Sequence, residues 1–162
     1  MFNEKVCSVC LSYMLDDILE GWLRCPSCSN MIKKEKSMIT MKELLQNRAK
    51  FEELSEDLQS NGKDLLDKLN LFRKEYGKPM IVSSGYRPPA ANAAAGGAKQ
   101  SAHLTLQACD FSDKNNEIKD FIKKDPTVLE RCGLYMEDPD STLLWCHLQS
   151  RPTKSGNRIF KP

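Results

Sequence analysis

Long apolar runs are missing from this chain. Nothing in its 162 residues approaches a transmembrane span, which needs about 20 consecutive apolar residues. A secretory leader is not expected, because Met1-Phe2-Asn3-Glu4-Lys5 is followed by Val6, Cys7 and Ser8 rather than by an apolar core. The expectation is a protein synthesised in a cytoplasm without a signal peptide. Net charge is only +2, too little to point to nucleic acid. Acids are absent from Gln149 to Pro162, which holds Arg151, Lys154, Arg158 and Lys161. Such a stretch either favours an anionic surface or is a solvated tail. What is plentiful excludes disorder: 40% apolar and 28% charged residues are the balance of a globular protein.

A core takes roughly 100 to 200 residues, so the chain has room for one ordinary domain and an appendage. Cysteine marks the appendage. Cys7, Cys10, Cys25 and Cys28 form two C-x2-C pairs, whereas Cys109, Cys132 and Cys146 stand singly. In a reducing cytosol such pairs point to metal ligation before disulfides. Each C-x2-C turn supplies two thiolates, and two turns close a tetrahedral structural zinc site. The metal would provide the folding free energy that so short a segment cannot bury. A redox pair would leave the other two cysteines unexplained. We therefore read residues 1–36 as a zinc-ribbon-like mini-domain, 37–62 as a linking helix and 63–162 as the main domain. Aromatic interleaving around the knuckles is sparse, Tyr13 and Trp22 only. Nucleic acid is accordingly not the expected partner of the ribbon, and protein contact or simple stabilisation is.

Thr40-Met41-Lys42-Glu43 is a capping box and predicts a helix start. Met41, Leu44, Leu45, Leu54 and Leu58 continue it at helical intervals until Asn61-Gly62, read as a break. A second helix follows from near Asp64, with Leu65, Leu69, Phe72 and Tyr76 on one face and Gly77 as its C-terminal cap. Met80–Ser84, Ala108–Phe111, Leu134–Glu137 and Leu143–Leu148 read as strands. Residues 90–98, only Ala, Asn and Gly, read as a close-lying loop. A helix is expected from about Asn116 to Lys124, interrupted by Pro126. The fold class is α+β, a small antiparallel sheet with packed helices plus the ribbon.

The chain has two histidines. His103 precedes Asp110 by seven residues, and His147 lies in the apolar strand Leu144-Trp145-Cys146-His147-Leu148. Taken alone, a buried histidine is more often a hydrogen-bonded core residue than a ligand. The wider pattern adds to this. Ser83-Ser84-Gly85-Tyr86-Arg87-Pro88-Pro89, then Asn92, Gly96-Gly97-Ala98, Ser101-Ala102-His103, Ala108-Cys109-Asp110 and finally Trp145-Cys146-His147 resemble the signature of the D-Ala-D-Ala zinc metallopeptidases, peptidase family M15. The resemblance runs from about Leu65 to the C-terminus and is strongest to compact members from bacteriophages and bacteria. The ribbon is no part of that pattern.

The resemblance implies that His103, Asp110 and His147 hold one catalytic zinc, that Arg87 faces the substrate, and that Ser101 is a hydrogen bonder close to the first ligand. Two imidazoles and a carboxylate leave zinc one open position for water. The guanidinium fork of Arg87 suits a carboxylate or a developing oxyanion. Two departures stand out: Leu106 replaces a family glycine, and Leu144 stands where several branches carry a catalytic acid three residues before the last histidine. The general base is then expected among Glu137, Asp138 and Asp140. Glu137 shares a sheet face with His147 in a simple hairpin register, although about 13 Å away at about 3.3 Å per residue. The implied activity is cleavage of peptidoglycan peptide stems, as carboxypeptidase or endopeptidase, by a phage-encoded enzyme. It would reach the wall from the host cytoplasm or act within a virion, with virion proteins as candidate partners of the ribbon. Two alternatives are a zinc-binding virion or wall-binding module without an effective base, and an adaptor directed by the ribbon.

Overall fold

The computed structural model describes residues 38–161, together with Leu15–Asp16, Trp22–Arg24, Ser27 and Met31–Lys33. The chain divides into two compact units, Met1–Ser37 and Met38–Pro162. In the first, strands β1 (Leu15–Asp16), β2 (Trp22–Arg24) and β3 (Met31–Lys33) pair antiparallel in chain order. The cysteines proposed as structural ligands, Cys7, Cys10, Cys25 and Cys28, lie outside the described residues.

The second unit starts at the expected capping box. Thr40 N donates to Glu43 Oε2 at 2.7 Å, and Glu43 N donates back to Thr40 Oγ1 at 3.3 Å. The helix it opens, α1, covers only Met41–Leu45. Gln46 and Asn47 turn left-handed, with φ of 49° and 57°, and Phe51–Glu53 forms a single 3-10 turn. Helix α2 restarts at Ser55, whose Oγ accepts from Leu58 N, and runs from Glu56 to Tyr76. The expected break at Asn61-Gly62 is therefore corrected, and a division between residues 62 and 63 falls inside this helix. The glycine serves close approach instead: a Cβ on Gly62 would lie 2.5 Å from Leu106 Cδ2. Asn61 Nδ2 also donates to Thr105 O at 3.1 Å. The pair is thus where α2 receives the loop between His103 and Asp110. Gly77 caps α2 as expected, with φ 79° and its N–H on Arg73 O.

Strands β4 (Val82–Ser84), β5 (Ala108–Ser112), β6 (Tyr135–Glu137), β7 (Trp145–Gln149) and β8 (Ile159–Phe160) form one sheet in the order β4-β5-β7-β6-β8. All pairings are antiparallel except β6 with β8, which is parallel. The basic tail thus returns to the sheet as an edge strand that sequence pattern did not suggest. Helix α3 (Pro89–Ala94) replaces the front of the expected Ala/Gly loop. Proline at its first position needs no hydrogen bond there, and alanine favours the helix. Helices α4 (Glu117–Lys124) and α5 (Thr127–Arg131) stand on either side of Pro126.

Side chains alternate across a strand. Cys109 and Phe111 of β5, Cys146 and Leu148 of β7 and Met136 of β6 enter the core with Leu65, Leu69 and Phe72 of α2. Each fully buried leucine or phenylalanine contributes roughly 2 kcal/mol. Asp110, His147, Gln149 and Glu137 belong to the opposite set, which faces a cleft of about 880 Å³.

Candidate metal centre

Strands β5 and β7 bring Asp110 and His147 directly opposite one another. His103 arrives on the short loop before β5, whose turn is closed by Leu104 N on Ser101 O and Gln107 N on Ala102 O, while Arg87 N donates to His103 O. One ligand-type atom from each of His103, Asp110 and His147 lies within 4.8 Å of the others, and all three residues are buried.

Hydrogen bonding assigns the imidazole tautomers. His103 Nδ1 is 2.7 Å from Gly85 O; a carbonyl can only accept, so Nδ1 carries the proton and Nε2 is left with a lone pair. That Nε2 is 3.3 Å from Asp110 Oδ1. The carbonyl is placed by α1, because Tyr86 N donates to Leu44 O at 2.7 Å and a Cβ on Gly85 would lie 2.0 Å from the same oxygen. On the other side, Gln149 Nε2 donates to Arg151 O at 2.6 Å, which turns Gln149 Oε1 toward His147 Nε2 at 3.3 Å. His147 Nε2 is then the protonated nitrogen, and Nδ1 points its lone pair at Asp110 Oδ1, 2.7 Å away. Two imidazole lone pairs and a carboxylate oxygen converge with no donor between them. This set calls for a cation, and its N2O composition with room for a fourth ligand fits zinc.

Arg87 closes the back of the centre. Its Nη2 pairs with Asp110 Oδ2 and its Nε donates to Ser84 Oγ at 2.8 Å. Burial pushes the Asp110 carboxyl up, yet it lies below the usual carboxylate range, and its ion pair with Arg87 favours the charged form. Asp110 is therefore ionised at neutral pH and available as a ligand.

A family model described as Peptidase M15 matches residues 37–138. The chain belongs to that family. No curated protein and no solved structure matches it. The matched segment contains Arg87, Ser101, His103, Asp110 and Glu137 of this peptidase domain but ends before His147, which the β5–β7 pairing supplies.

Glu137 is much closer to the centre than the simple hairpin suggested. Tyr135 pairs with Gln149 and Met136 with Leu148; continuing by one residue sets Glu137 across from His147, where cross-strand Cβ atoms are about 5 Å apart. The longer connection between β6 and β7, with its 3-10 turn at Pro139–Ser141, produces this register. Burial pushes the Glu137 carboxyl above its ordinary value, although the His147 imidazole opposes the rise. Asp138 instead caps the turn by accepting from Asp140 N at 3.1 Å, and neither Asp138 nor Asp140 lines the cleft. Ser101 lines the cleft, but its Oγ accepts from the His103 main-chain N–H at 3.3 Å. The ring of His103 is held by Gly85.

Leu106, in the position of the family glycine, adopts φ 53° and is fully buried. A left-handed leucine costs about 1–2 kcal/mol, which burial against Gly62 offsets. Leu144 is 61% exposed. Sequence reasoning missed Gln149, whose only signal is its position two residues beyond His147 and so on the same strand face. It also missed residues 151–161 as a wall of the cleft.

Proposed function

We propose that the protein is a zinc metallopeptidase that hydrolyses the peptide stems of bacterial peptidoglycan, as a carboxypeptidase or an endopeptidase. The observation that carries this is the convergence of His103 Nε2, Asp110 Oδ1 and His147 Nδ1 on the floor of a cleft in a Peptidase M15 member. Zinc bound there supplies a Lewis acid for a peptide carbonyl and a means of ionising water near neutral pH. The chain's own residues do the rest. Glu137, beside His147 and in the cleft, is the general base: its carboxylate accepts a proton from the attacking water and returns it to the leaving amine. Arg87 keeps Asp110 oriented through Oδ2 and lines the same cleft, where its guanidinium receives a substrate carboxylate or the developing oxyanion. Ser101 steadies the loop that carries His103.

Cys7, Cys10, Cys25 and Cys28 are proposed to hold a second, structural zinc, so the full chain binds two. Synthesis in a host cytoplasm and action at the wall or within a virion complete the reading, with virion proteins as partners of the ribbon. No helix among the described residues is long and apolar enough to cross a membrane.

The test is digestion of purified peptidoglycan by the zinc-loaded chain, with fragments identified by mass spectrometry. Fragments should be released, a chelator should stop their release, and added zinc should restore it. The acid replaced by Leu144 favours one alternative, a wall-binding module that retains the metal without cutting. If no peptidoglycan releases a fragment at full zinc occupancy, that alternative replaces the enzyme.

A further inference from the structure

Among the four cations of the acid-free tail, three line the cleft of the metal centre: Arg151, Lys154 and Lys161. The segment is fastened along its length. Gln149 Nε2 bonds Arg151 O at 2.6 Å, Arg151 Nη2 bonds Gln100 O at 2.8 Å, and Thr153 Oγ1 bonds Asn157 O at 3.0 Å. At its far end Met136 N and Asp138 N donate to Arg158 O and Phe160 O, the parallel pairing that makes β8 part of the sheet. Phe160 places its ring edge-on to His147 with centroids 6.3 Å apart. The strap is thus a built wall of the site.

The charges on that wall are unmatched. None of Arg151, Lys154 and Lys161 enters an ion pair among the described residues. The acids that line the cleft are Asp110 and Glu137; the first is engaged by Arg87 and both imidazoles, and the second faces His147. Arg158 is different. Its guanidinium lies over the Tyr135 ring, 4.4 Å from the centroid, and Nη1 donates to Leu134 O at 3.2 Å. Three cations lining one cleft, without counter-charges among the described residues, favour an anionic ligand there.

We propose that Arg151, Lys154 and Lys161 form a subsite for a carboxylate that the peptide substrate carries away from its scissile bond. The inference rests on the peptidase reading above and narrows its substrates to peptides with such an acid. The contacts are partly open to water, so each contributes a few-fold at most, and three together about tenfold. Their effect belongs in substrate capture and is weakened by salt.

Two synthetic stem peptides, identical except that one side-chain carboxylate is free or amidated, test this on the zinc-loaded full chain. The free acid should have a kcat/KM about tenfold higher, carried by KM, with the preference shrinking at about 0.5 M salt. In the Lys154→Gln/Lys161→Gln chain the preference should fall below about threefold, while Arg158→Gln should leave it intact. Equal kcat/KM for the two peptides, or a preference that survives in the double variant, overturns the subsite. If neither peptide is cut, the dissociation constants of the same pair, measured by calorimetry, decide. A preference for the acid that the double variant loses upholds the subsite and sinks only the peptidase reading, whereas equal binding of the two peptides overturns the subsite itself.

Discussion

Replacing Gln149 by Leu separates holding the metal from holding the fold. The side chain is buried and makes two bonds, accepting from His147 Nε2 and donating to Arg151 O. Leucine is of similar volume and makes neither. The bond to His147 directs the imidazole lone pair at Nδ1 toward the centre, and losing such a partner behind a metal-binding histidine typically costs 10- to 100-fold in metal affinity. That corresponds to about 1.4–2.8 kcal/mol. The bond to Arg151 leaves a carbonyl unpaired at a cost of about 1–3 kcal/mol to folding, which appears in the stability of the metal-free protein. The two effects are measured apart by thermal unfolding without metal and by zinc-buffered titration followed at the histidine ring nitrogens in NMR. Those resonances report this centre without contribution from the cysteines. Gln149→Glu keeps the acceptor and loses the donor, so it should retain metal affinity while still losing stability. A folded Gln149→Leu chain that binds zinc as tightly as the wild type, with the same His147 tautomer, would refute the assignment of Nδ1 orientation to this residue.

Other substitutions probe the remaining contacts. Glu137→Gln should keep the metal and lower turnover by roughly 100-fold or more; a full-rate enzyme moves the base to another acid. Arg87→Lys keeps the charge but cannot bond Ser84 and Asp110 together from one planar group. Hydrogen bonds to charged groups contribute about 1.5–3 kcal/mol, so turnover should drop by roughly 10- to 100-fold, and unchanged steady-state kinetics would leave Arg87 a purely structural part. Gly85→Ala sets a methyl against the Leu44 carbonyl and moves the acceptor of His103. Overpacking against backbone should cost at least about 3 kcal/mol, lowering Tm by roughly 10 °C or more, and a wild-type melting curve would show that α1 yields freely.

The family and the cluster of His103, Asp110 and His147 were legible because they sit in short local patterns. The resemblance read from the Gly85–Arg87, His103–Asp110 and Trp145–His147 segments agrees with the family whose model matches residues 37–138. The Thr40 capping box and the Gly77 cap were legible for the same reason, since each is satisfied within one helical turn. What failed at short range was decided by contacts across the fold. Asn61-Gly62 carries the composition of a break, yet it lies within a helix because Leu106 and Thr105 dock there. The distance from Glu137 to the centre depends on a register set by the connection between β6 and β7, and a one-residue slip would have turned Glu137 to the other face. The carbonyl behind His103 and the amide behind His147 could not be seen in advance, because a backbone oxygen has no sequence signature and a glutamine acquires a role only through its neighbours. The acid-free tail was visible as a charge pattern. Its place on the rim of the metal centre came only from the parallel pairing of β8 with β6, which joins residues over twenty positions apart.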